Sequence, residues 1–137
     1  MLINLYMVKF TDIINVVYNG KNYSIIKAQY KNNIVPIVLD KDICDNIKKS
    51  DRNWIISSNG NVYTTINNKN IYLHEIAYII KNNKKNTYPL IHLNKIGLDN
   101  RIENIMEDNL NKEIRKNLNK KERTIKLKKI NVDKIPS

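Results

Sequence analysis

One histidine, His92, ends a short apolar run and is followed by Asn94, Asp99, Asn100, Glu103 and Asn104. An imidazole presented at a strand edge titrates near neutrality, so it can take a proton from water and return it. The polar loop after it needs internal hydrogen bonds to hold such a geometry, and short amide side chains supply them by bonding nearby backbone. The plainer reading is a surface or satisfied core histidine ahead of an ordinary Leu-Asp-Asn-Arg turn, and residue chemistry alone leaves that open. Arg101 is similarly two-sided: its planar fork suits a phosphate, or it pairs with Asp99 or Glu103 and pins the loop.

The elements that must position these residues read as strands and turns. Ile13 to Tyr18 is β-branched and ends at Asn19-Gly20, a strong hairpin signal, after which Lys21 to Ile26 returns antiparallel. Ile34 to Leu39 forms another strand that Pro36 restricts to an edge or bulge, and Asp40 is placed to cap a short helix from Lys41 to Lys48. A second unit begins at Trp54, which adjoins a strand and reads as a core anchor before a base-stacking residue. Its hairpin turns at 57–60, leaves through Val62 to Ile66, and turns again at 67–70. Leu73, Ile76, Ala77 and Ile80 then repeat at helical spacing. His74 sits beside that face, as a helix-start or packing residue first and a phosphate contact second. The fold class expected is α+β.

Charge sets the partner class. The chain of 137 residues carries 24 Lys plus Arg against 13 Asp plus Glu, a formal net charge of +11 that favours a polyanion. Lys112, Arg115, Lys116, Lys120, Lys121 and Arg123 crowd the C-terminal part, where a helix would lay them along a phosphate backbone and a solvated tail would still attract it. Asn and Ile each occur 24 times, a bias expected of an AT-rich genome that also inflates lysine. A single cysteine, Cys44, rules out an intramolecular disulfide and a thiolate zinc cluster. No apolar run reaches membrane-spanning length, and the N-terminus lacks the pattern of a secretory signal. The expected location is therefore intracellular and unsecreted, with no membrane partner.

The spacing of His92, Leu98-Asp99-Asn100-Arg101 and Glu103-Asn104-Ile105 resembles the HNH endonuclease family, whose pattern runs Asp/His-His-Ile-Asn/Asp-Gly, then Leu-Asp/Asn-Asn-Arg, then Glu-Asn-Leu. Upstream, Trp54, Gly60-Asn61-Val62-Tyr63 and Leu73-His74-Glu75 resemble the flank of homing-type members. The chain is also similar to the HNH-like proteins of large amoeba-infecting DNA viruses, which would place it in a virion or a host compartment holding viral DNA. The likeness covers residues 50–125 well and the first fifty loosely. It implies an HNH-like ββα-metal core with a basic C-terminal helix over 51–125, to which the residue pattern adds a β-rich segment of small antiparallel strands and a hairpin with a short helix over 1–50 and a basic tail over 126–137.

By that resemblance His92 is the general base, Asn104 braces the loop, and a divalent ion, Mg²⁺ or Mn²⁺, holds the scissile phosphate of double-stranded DNA. Ile91 stands where the family has Asp or His, and the later helix ligand falls at Glu113, an oxygen donor suited to a hard ion. Asn59, Tyr63 and Lys69 are expected to reach DNA from the Trp54 hairpin, and a homodimer is compatible with the resemblance. Loss of catalysis with retained DNA binding or packaging is the alternative.

Overall fold

The computed structural model describes residues 7–109. Strands β1 (Met7–Val8), β2 (Ile13–Tyr18), β3 (Lys21–Tyr30) and β4 (Asn33–Asp40) precede helix α1 (Lys41–Ile47). They are followed by β5 (Trp54–Ile56), β6 (Val62–Ile66), β7 (Lys69–Tyr72), helix α2 (Leu73–Asn82), β8 (Leu90–His92), β9 (Asp99–Asn100) and β10 (Ile105–Glu107). The architecture is mixed α+β, with mostly antiparallel strands, as the sequence leads one to expect at that level.

The Asn19-Gly20 hairpin forms where it is expected. Both residues have positive φ (51° and 74°), Tyr18 faces Lys21, and the two-residue loop matches the strands' right-handed twist. Pairing runs on through β4 and ends with β9, which joins in parallel at Val38↔Asp99 and Leu39↔Asn100. Pro36 lies on the part of β4 that β9 does not reach, so its missing N–H leaves no gap in that ladder. A second sheet runs β1-β5-β6-β7, and a third pairs β8 with β10.

The boundary expected between residues 50 and 51 does not divide the packing. β1 pairs Val8 with Trp54 of β5, and β4 recruits β9 from the loop that follows His92. One apolar cluster holds Phe10, Ile26, Ile37, Leu39 and Ile43 together with Trp54, Val62, Leu73, Ala77 and Ile105. Trp54 is 1% exposed and stacks on Phe10 at 5.2 Å, which makes it the anchor of that core. Cys44 is buried there, and burial pushes its thiol pKa up, so it is not a reactive thiolate.

Asp40 departs from its expected role. It precedes α1 without a side-chain cap, and its carboxylate instead accepts the Ile102 N–H at 2.9 Å, across to the His92 loop. α2 starts differently, with Glu75 reaching back to the Tyr72 N–H at 3.0 Å, half of a capping box, and Asn83 ends it in the left-handed region. Leu73 and Ala77 bury the face that the spacing predicts. Among the described residues no helix is long and apolar enough to cross a membrane.

β8 and β10 form an antiparallel pair with Ile105 opposite His92 and Met106 opposite Ile91. Glu107 closes the open end, accepting from the Thr87 and Tyr88 N–H groups and from Tyr78 Oη at 2.8 Å. The expected helix after these strands, the basic helix and the tail lie outside the described residues.

Candidate functional site

His92 ends β8, and the chain needs residues 93–104 to return to β10 directly beside it. That loop is built around Asn104, which is fully buried. Its Nδ2 donates to Asp99 O at 2.8 Å and to Asn94 Oδ1 at 2.9 Å, while its Oδ1 accepts the Asn94 N–H at 3.0 Å. The Leu93 N–H also donates to Asn104 O at 2.8 Å. One amide therefore ties the start of the loop to its end, the bracing geometry that the resemblance implies for this residue.

Arg101 resolves to the second of its two readings. The side chain is fully buried, its Nε and a terminal nitrogen each donating to Asp99 at 2.7 Å, and its other terminal nitrogen lies 3.3 Å from Glu103 Oε2. Burial works against its charge, but the bonded Asp99 carboxylate more than offsets this and the pKa rises above the ordinary arginine value. A guanidinium sealed against Asp99 has no face for a phosphate, so the DNA contact expected of Arg101 is replaced by loop pinning. Glu103 also accepts Tyr23 Oη at 2.5 Å, which fastens the loop to β3; burial first, and that bond second, push the Tyr23 pKa up.

The state of the imidazole follows from these anchors. Asn100 Nδ2 donates to Gly97 O at 3.1 Å, and a carbonyl can only accept, so the amide orientation is set with Oδ1 toward His92. Oδ1 lies 2.9 Å from His92 Nε2 and must accept there. His92 is thereby held as the Nε2–H tautomer with a lone pair on Nδ1, for which no partner is found among the described residues. Burial lowers its pKa, partly countered by the Asn100 bond and the Asp99 charge, which favours the neutral ring, the form that can accept a proton.

His74 enters the site from α2. Its ring meets His92 edge to face, with centroids 4.6 Å apart, and stacks on Tyr72 at 5.3 Å, which in turn touches Tyr63 at 5.9 Å. A row of rings thus joins Tyr63 to His92. His74 is 9% exposed, and burial, with the charge of His92 as a second cause, brings its pKa down to about 4. The packing role read from the sequence holds, but its contact with His92 had no signal there, because helix periodicity says nothing about what a neighbouring strand presents.

The residues of the Trp54 hairpin expected to reach DNA lie at both ends of it. Asn59 lies in the exposed turn before β6, bonded by Ser57 Oγ, whereas Lys69 faces Ile66 at the opposite end of that strand, about 15 Å away at the usual rise per residue. Tyr63 and the turn are on the His92 side. The contact is close: a Cβ on Gly97 would meet Asn61 Oδ1 and lie 2.6 Å from Gly60 O, so only glycine lets the two loops touch. Lys95, at the position where the family pattern has glycine, takes a left-handed φ of 62°.

A metal is less well provided for. Among the described residues no three His, Cys, Asp or Glu side chains come together, and Ile91 offers no donor. A hard ion needs several oxygens, so the described residues do not by themselves fit Mg²⁺ or Mn²⁺. Glu113 and the basic residues Lys112, Arg115, Lys116, Lys120, Lys121 and Arg123 lie outside them. Compared with family models, curated proteins and solved structures, the chain finds a match in none of the three.

Proposed function

We propose that this chain binds duplex DNA through an HNH-like strand–loop–strand core and presents His92 Nδ1 as a general base toward a phosphodiester. The observation that carries the reading is the hydrogen-bonded chain Gly97–Asn100–His92, half-buried around the buried Asn100 and braced by Asn104, which fixes one tautomer and leaves one nitrogen with a free lone pair. A buried polar network of this kind is costly unless every member is bonded, and its products here are a rigid loop and an oriented ring. The formal charge of +11 supplies the attraction to a polyanion. A neutral imidazole takes the proton of an attacking water, and the Nε2–H···Oδ1 bond steadies the imidazolium that results.

The second reading, DNA binding without hydrolysis, is favoured by Ile91 at the family's ligand position and by the lack of a metal cluster among the described residues. Plasmid nicking by the full chain with Mg²⁺ and with Mn²⁺, run beside a salt titration of duplex binding, separates the two. The base reading expects nicking that His92→Ala abolishes while binding persists. Binding with a steep salt dependence and no nicking on any substrate selects the second. Weak binding at physiological salt defeats both.

A further inference from the structure

We propose that the open edge of β2 is a self-association surface, on which a second copy of this chain pairs antiparallel about a two-fold axis at Asn15 and joins the two β2-β3-β4-β9 sheets into one of eight strands. The inference does not rest on the nuclease reading. β2 ends its sheet, with β3 on one side and no strand among the described residues on the other. Tyr18 faces Lys21 across a two-residue turn, and Asp12 O accepts the Lys27 N–H at 3.1 Å, so the even-numbered residues of this strand turn their backbone groups toward β3. Ile13, Asn15 and Val17 therefore turn N–H and C=O outward, where no partner stands among the described residues.

An edge strand normally carries a guard against pairing, such as a lysine, a proline, a bulge or very short length. The other edges have one. β1 and β9 are two residues long and β8 and β10 three, while β7 begins with the exposed Lys69. β2 is six residues of Ile, Asn, Val and Tyr, with no charge, no proline and an unbroken register against β3. Its Val17 is 72% exposed.

What selects a second copy is that β2 complements itself. Outward groups meet only where odd-numbered residues face odd-numbered ones, and of those registers the one centred on Asn15 pairs the strand over its whole length. Val17 then lies opposite the partner's Ile13, and Ile14 opposite the partner's Val16, so apolar meets apolar on both faces of the sheet. Asn15 meets its own counterpart. Its Oδ1 accepts from Ser24 Oγ at 2.7 Å, which leaves its Nδ2 to donate across the axis. Six residues a side is fewer than the roughly 20–30 of a stable interface, so the dimer is a weak and reversible one. With a formal +11 on each copy, screening by salt strengthens it, the opposite of its effect on DNA binding.

Sedimentation equilibrium of the full chain, from micromolar to millimolar and at low and high salt, measures the association. The proposal expects a monomer–dimer equilibrium that tightens with salt, with Val17→Lys, present twice in each dimer, weakening it by roughly tenfold and Val17→Thr changing it by less than about threefold. Val17 is exposed, so both variants keep the monomer fold, which their amide spectra check. Amide hydrogen exchange gives the location: Ile13, Asn15 and Val17 slow as the chain is concentrated. A chain that stays monomeric at millimolar concentration and high salt overturns the proposal, as does a dimer that Val17→Lys leaves intact. Protection of the three amides that persists on dilution assigns the edge to another segment of the same chain and overturns it too. None of these readouts involves DNA, so failure here and failure of the nuclease reading are separate results.

Discussion

The polar groups around loop 93–104 and those along α1 have similar chemistry and opposite surroundings. Asp99 and Arg101 are sealed, with side chains 1% and 0% exposed, and Asn100 and Asn104 are buried with them. Lys41, Asp45 and Lys48 pair at 2.8 and 3.2 Å with side chains 38–46% exposed. In water-screened pairs the Coulomb gain is offset by lost side-chain freedom, whereas in the sealed cluster each partner's removal strands a desolvated group. The loop's polar side chains are therefore structural commitments that hold one ring in place, and those on α1 are not.

The sharpest way to break that contrast is Arg101→Ala. It leaves the Asp99 carboxylate buried without its bidentate partner, and the expected loss of stability is about 3–5 kcal/mol in urea unfolding, with a shift of the His92 ring signals as the loop loosens. A loss within the range of an exposed pair would mean that water reaches Asp99 and that the cluster is not sealed.

Next in size is a pH effect at His74. Its folded pKa of about 4 lies below the unfolded value of 6.5, so between those values the unfolded chain binds the extra proton and stability falls as pH falls. Between about pH 7 and pH 4.5 this amounts to roughly 2–3 kcal/mol. Urea unfolding of wild type and His74→Phe at both pH values reads it together with any change in His92, the ring it touches, while the remaining titrating groups are common to both. The same slope in the variant would show that His74 is not the group responsible.

Strand periods, the Asn19-Gly20 turn, the α2 face and the Trp54 anchor were legible because each depends on residues close in sequence. Asp40 was misread for the complementary reason: an acidic residue before a helix looks like a cap, but its partner, Ile102 N–H, comes from 62 residues downstream. Asn104 stood out through the spacing of a resembling motif. The burial of Arg101, the approach of His74 and the separation of Asn59 from Lys69 depend on how sheets meet, which no local pattern records.

Lys95→Gly tests a smaller feature of the loop. A lysine at φ 62° carries left-handed backbone strain that glycine does not, and relief of about 1 kcal/mol is expected, reduced by glycine's greater freedom in the unfolded chain. The melting temperature should rise. A fall would assign Lys95 a contact that outweighs the strain.

Smallest of all should be Asp45→Asn on α1. Its carboxylate pKa is held below the usual range by hydrogen bonds from Lys41 and then Lys48, so pairing is present. Yet both lysines remain solvated, and the amide that replaces the carboxylate still accepts a hydrogen bond from either. The melting temperature at physiological salt should not move, and added salt should not separate the two proteins further. If Asp45→Asn instead destabilised the chain as Arg101→Ala does, exposure would not be what distinguishes the two clusters, and the burial around His92 would lose its standing as a mark of function.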